Sequence, residues 1–211
     1  MRASNAKPRL DPDAGEASAP PVARTQAEVL RGAVLGEPWA HAALYEALYP
    51  IVARALQKIL HQTPDYEDLV QASFEQIVRT LRKPRAREIE NLAAWASAIT
   101  ARVALDSIRA RVRERRLFDR AMDSSDVAAA VVPRLEQQLE ARRELAWLQS
   151  TLAAMNAEQA EAVLLHDVLE HELKDIASIT DVSLAAAQKR LSRGHLELKR
   201  RAEKRHKAGQ R

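Results

Sequence analysis

The sequence predicts an all-α chain: two small helical domains joined by a flexible linker, the C-terminal one a helix-turn-helix. Three observations carry this. Aromatic residues make up only 4% of 211 residues and glycines number five, while Ala, Leu, Glu, Gln and Arg abound, a balance that favours helix over sheet. Apolar residues recur at i, i+3 and i+4 in several separate stretches. And "DIASITDVSLAAAQKRLSRGHLELKR", from Asp175 to Arg200, reads as two helices about a tight corner.

Residues 1–25, rich in Pro, Ala, Asp and Ser and without periodicity, are expected to form a disordered tail. A first domain is expected over 26–116. Leu44, Leu48, Ile51, Val52, Ala55, Leu56 and Ile59 form its first stripe, and Pro50 predicts a kink or restart within it. Thr63-Pro64-Asp65 ends that run, with Asp65 placed to cap the helix "YEDLVQASFEQIVRTLR". Glu67 and Asp68 in its first turn suit the helix dipole. The stretch "KPRAREIEN", residues 83–91, has a proline and alternating charges, and reads as a loop. Asn91 then caps a long helix carrying Leu92, Trp95, Ile99, Val103 and Ile108, which ends in the basic "RARVRERR".

Ser124-Ser125-Asp126 and Pro133 place a linker at 117–133. A second domain is expected over 134–203, opening with a stripe of Leu135, Leu139, Leu145, Leu148, Leu152 and Met155. A helix follows around Glu158–Leu169, then the corner. The C-terminal "KRRAEKRHKAGQR", residues 199–211, is expected to fray, with a basic tail over 204–211.

The net charge is only +4, yet it is concentrated in two zones, Arg102–Arg120 and Lys189 onward. Two separated basic zones suit two contacts with a polyanion. The absence of Cys excludes disulfides, thiol catalysis and the usual structural zinc site, and suits a cytosolic setting. No apolar core marks the N-terminus as a signal peptide, and no apolar run approaches a membrane span, so a cytoplasmic protein is expected.

At the corner, Ile176, Ala177, Ile179, Val182, Leu184, Ala187 and Leu191 supply the packing and Ser183 the N-cap. The second helix then offers Ala185, Gln188, Lys189, Arg190, Ser192 and Arg193 to a groove. Gln reads adenine bidentately; Arg and Lys read guanine. The competing structural reading is a plain helical hairpin with a basic face.

"DYEDLVQASFEQIVRTL" resembles the core helix of bacterial sigma factors, matching its Asp-x-Glu-Asp-Leu-Val-Gln-x-x-Phe form at Asp65, Glu67, Asp68, Leu69, Val70, Gln71 and Phe74. "NLAAWASAITARVALDSIR" is similar to the promoter-melting helix that follows it, with Trp95, Ile99, Leu105, Asp106 and Arg109 in family positions. Residues 152–199 resemble the C-terminal helix-turn-helix domain of the same family. Two domains without the further ones of housekeeping members point to the extracytoplasmic-function (ECF) group.

The resemblance implies a non-enzymatic initiation factor without a cofactor. Its partners would be core RNA polymerase, promoter DNA and an anti-sigma factor. Asp65, Asp68, Leu69, Val70, Gln71 and Glu75 would dock on the clamp of the largest polymerase subunit. Arg85, Arg87, Asn91, Trp95, Arg102, Arg109 and Arg113 would serve the minus-ten element, and Ser183, Ala185, Gln188, Lys189, Arg190, Ser192 and Arg193 the minus-thirty-five element. The sequence departs from common family residues at Ala101-Arg102 and along Ala186–Arg190, where bases and phosphates are read.

Two readings from other classes compete. One is a helix-turn-helix regulator acting without polymerase. The other is a metalloenzyme using His166 and Glu170, at i and i+4, with His171 adjacent. A complete site needs further ligands, and no second His/Glu cluster follows along the chain, so no metal is expected.

Overall fold

The computed structural model describes residues 24–61, 63–83, 89, 91–121 and 133–209. Eight α-helices and one π-turn are found among them, with no strand. Helix α1, Gln26–Leu35, starts at a capping box: Thr25 accepts from Glu28 N–H, and the Glu28 carboxylate accepts from Thr25 N–H at 2.7 Å. It stops at Gly36, whose φ of 81° most side chains would resist.

Helix α2, Pro38–Leu60, buries Leu44, Leu48, Val52, Leu56, Ile59 and Leu60. The helix does not restart at Pro50 but runs continuously through it. Pro50 is exposed, and the carbonyl it leaves without a donor belongs to Glu46, also exposed, where water can satisfy it.

Helix α3, Tyr66–Leu81, buries Leu69, Val70, Ser73, Ile77 and Leu81. Asp65 stands at its N-cap position, but its side chain makes no capping bond. With φ −90° and ψ 25° it lacks the extended conformation a cap requires. Its carboxylate instead lies 3.4 Å from Arg111. Asn91 does cap: its Oδ1 accepts from Ala94 N–H at 3.0 Å.

Helix α4, Leu92–Ala121, spans 30 residues. Ala94, Ala96, Ala98, Ala101 and Ala104 are buried along it beside Ile99, Leu105 and Ile108. These small residues let α2 and α3 pack closely on α4, which α5 also contacts. The helix continues past residue 116, where the linker was expected to begin. Leu117 and Phe118 extend it although both are exposed.

Helix α5, Pro133–Ala154, begins with proline, whose missing N–H costs nothing at a helix start. Of its expected stripe, Leu152 and Met155 reach the core and Leu148 is exposed. Helix α6, Ala157–Val163, is capped by Asn156 and runs into a π-turn, Leu164–Val168. One continuous α-helix to Leu169 was expected. The π-turn closes through Leu169 N–H to Leu164 O at 3.0 Å.

Helices α7, Leu173–Thr180, and α8, Leu184–Gly209, form the corner. Asp181 adopts the left-handed conformation, φ 56°, at the turn often filled by glycine. Ser183 Oγ accepts from Ala186 N–H at 3.2 Å, as a cap should. The segment expected to fray is helical as far as Gly209. Arg205 makes a bidentate pair with Glu144 of α5 at 2.7 and 2.9 Å and lies over the Trp147 ring, extending the helix.

The two halves are packed on one another. Helices α5, α6 and α7 all contact α4, and one apolar cluster runs from Leu44 and Leu56 through Ile99 and Leu105 to Leu152, Leu165 and Leu191.

Candidate nucleic-acid interface

The corner presents a polar surface. Ser183, just before α8, and Ala185, Gln188, Lys189, Ser192 and Arg193 on it are exposed, while Ala187 and Leu191 face inward. Arg190, expected in the same set, is only partly exposed. It lies beside the buried stripe and pairs with Glu158 of α6 at 2.9 Å, so it serves the α6–α8 packing. Gly194 allows that packing: a Cβ there would stand 2.6 Å from Val163 Cγ2.

On the opposite half, Asp65, Asp68, Gln71 and Glu75 are exposed on or just before α3. Gln71 donates to Glu75 at 3.1 Å, which orders that edge. Leu69 and Val70, expected beside them, are buried. Both belong to the core and hold α3 in place. Phe74 packs against Tyr45, with ring centroids 4.5 Å apart and the planes tilted by 37°.

Arg85 and Arg87 lie outside the described residues. Asn91 is committed to its cap, Trp95 is half-buried against the core, and Arg113 is exposed. Arg102 and Arg109 are engaged by the other half. Arg102 Nε donates to Glu161 Oε1 at 2.6 Å, and Arg109 Nη2 reaches the Met155 carbonyl at 3.4 Å. Arg109 also lies 3.6 Å from Asp106.

Further polar contacts join the halves. Lys58 donates to Glu170 at 3.0 Å, and the Ser97 hydroxyl meets His171 Nε2 at 2.6 Å. Burial raises the Glu161 carboxyl above its ordinary value, against the pull of Arg102. Burial lowers the His171 imidazole, with Asp175 opposing. A neutral ring suits a hydroxyl partner.

Glu161, Glu170 and His171 carry no local signal of these roles. Their partners stand 59, 112 and 74 residues away. The competing metal reading, which needs His166 and Glu170 together, is not met. The π-turn and the positive φ of Glu170, 61°, separate the two side chains, and Glu170 goes to Lys58. His166 instead shares Asp167 with His195 of α8.

Models of one family match both halves: Sigma-70 region 2 over residues 44–114 and Sigma-70, region 4 over residues 145–198. Together they cover more than half of the chain. The chain belongs to the sigma-70 family. Its region 2 runs from α2 through α3 into the basic part of α4, and its region 4 from α5 through the corner. No curated protein sequence matches this sigma-70 chain. Among solved structures it is similar to one described as "Structure of CnrH in complex with the cytosolic domain of CnrY". The identity is 18% and the TM-score 0.46, over 84% of this chain and 96% of that one. Among the described residues of the sigma-70 chain, no helix is long and apolar enough to cross a membrane.

Proposed function

We propose that the chain is a transcription initiation factor of the ECF type, which binds core RNA polymerase, reads promoter DNA at two elements and promotes strand opening. One observation carries the reading. The two family regions coincide with two exposed polar surfaces of different character: acidic and amide on α3, basic on α8.

In this reading Asp68, Gln71 and Glu75 meet the polymerase clamp, with Asp65 at their edge. Gln188, Lys189 and Arg193 enter the major groove of the minus-thirty-five element, flanked by Ser183, Ala185 and Ser192. Residues 83–91, with Arg85 and Arg87 among them, take a base unstacked from the minus-ten element, and Arg102, Arg109 and Arg113 follow the phosphates. The residues 26–116 and 134–203 act as separate units joined through the linker, and the halves part when promoter is engaged. The packed arrangement supports that last step chemically. Glu161 offers Arg102 a carboxylate where DNA would offer a phosphate.

An anti-sigma partner rests on the family resemblance alone, and co-purification from the native host tests it. The function is tested by reconstituted transcription. Core polymerase with this chain should initiate at discrete sites on a promoter library. Site-specific duplex binding by the chain alone, with no gain in initiation, would favour the polymerase-independent regulator.

A further inference from the structure

Inserting a π-turn shifts the helical repeat by a residue, and such turns are frequent at functional sites. Here the turn Leu164–Val168 sets His166 and Asp167 against α8, beside His195. Asp167 is bracketed by two imidazoles. His166 Nδ1 lies 2.7 Å from its Oδ1, and His195 Nε2 lies 2.7 Å from its Oδ2. One donor atom from each of the three side chains falls within 4.8 Å of the others. The rings are splayed, 71° between their planes with centroids 6.4 Å apart, so their nitrogens converge without stacking.

We propose that His166, Asp167 and His195 form a binding site for a divalent transition-metal ion of the zinc class. Two imidazoles and one carboxylate make a donor set that favours zinc, nickel or copper over the hard cations, which prefer all-oxygen shells. Three protein ligands leave a tetrahedral ion one position for water. The side chains are 40%, 36% and 46% exposed, so an ion can enter and water can complete its shell. Bonds of about 2.0–2.2 Å to the ion require ligand atoms to stand farther apart than a hydrogen bond. Asp167 must then shift outward on binding, which its exposure permits. Before the ion arrives, its two contacts hold one nitrogen of each ring facing the carboxylate.

The bound ion ties the π-turn to α8 and so braces the helix-turn-helix. A ligand that binds only the folded state raises its stability by mass action. The site is independent of the polymerase and promoter roles, since none of its three residues belongs to those surfaces.

Titration of the metal-free full-length chain with zinc, followed by calorimetry and repeated with cobalt for its visible spectrum, tests the assignment. One ion per chain is expected. His166→Gln and His195→Gln should each weaken binding by at least the roughly 10–100-fold that losing even a supporting hydrogen bond costs a metal site. His206→Gln, outside the cluster, should leave it unchanged. Zinc should raise the melting midpoint of the wild type and not that of His195→Gln. Circular dichroism checks that each variant folds, and Asp167→Asn provides a second route should one fail. Absence of saturable binding, or equal binding by wild type and both histidine variants, overturns the proposal.

Discussion

Arg102 Nε lies 2.6 Å from Glu161 Oε1, joining the long helix of the N-terminal half to the first turns after Asn156 in the C-terminal half. The two ends of this pair are not equivalent. Arg102 is half-exposed, while the Glu161 side chain is only 13% exposed. Burial dominates Glu161 and raises its carboxyl, so the charge is held at a cost.

Removing the partner should therefore hurt more than removing the charge. Arg102→Ala leaves a nearly buried carboxylate unpaired and should cost about 1–3 kcal/mol. Glu161→Gln keeps the shape, discards the charge and should change stability by less than ~1 kcal/mol in either direction. Urea unfolding midpoints of the two variants check this, and the reverse ranking would show that Arg102 is held by solvent and Glu161 by other groups.

His171 should make the packing of the halves sensitive to acid. Its folded value is lowered, so its contribution is complete above the ordinary imidazole value of about 6.5 and is lost as pH falls through it toward the folded value. Protonation would place a charge against the Ser97 hydroxyl in a half-buried site. Glu161 works in the opposite sense: a raised carboxyl contributes most below its ordinary value and loses that contribution as pH rises through the folded one. Small-angle scattering should show expansion from about pH 7.5 to about pH 5.5, with the change reduced in His171→Gln. The same expansion in both proteins would remove His171 from the account.

Gly194→Ala should loosen the C-terminal unit. The new Cβ would meet Val163 Cγ2 at 2.6 Å and the Gln159 carbonyl at 3.1 Å, and a backbone oxygen cannot move aside cheaply. Overpacking of this kind costs about 1–3 kcal/mol. A thermal midpoint equal to that of the wild type would mean that α6 and α8 can separate freely at this point.

Lys189→Ala and Arg193→Ala should each cost about 1–3 kcal/mol of upstream-element binding where a base contact is lost. Arg190→Ala should act instead through stability, since that guanidinium is spent on Glu158. Transcription from promoters with and without an intact upstream element separates the two effects. An equal loss on both templates for Lys189→Ala and Arg193→Ala would restrict them to phosphate or folding.

Much of this was legible in the sequence for a physical reason. Helical stripes, the Asn91 and Ser183 caps and the α7–α8 corner are set by residues within a few positions of one another. What the sequence did not show lies across distance or competes with a local rule. Asp65 looks like a cap but is drawn to Arg111, and Arg190 looks like a reader but is drawn to Glu158. Leu69 and Val70 sit within a recognisable motif, yet the stripe that makes the motif helical also buries them. The His166–Asp167–His195 cluster was invisible because it depends on a π-turn and on a helix 28 residues further on.

Binding to core RNA polymerase tests the central claim most directly. Asp68 is exposed in the first turn of α3, so Asp68→Arg reverses a surface charge without touching the core. Titrated against core enzyme, the wild-type chain should form a saturable complex. The variant should bind at least about tenfold more weakly, the effect of ~1.4 kcal/mol, with an unchanged circular dichroism spectrum. A wild-type chain that does not bind core, or a variant that binds it equally well, would contradict the account.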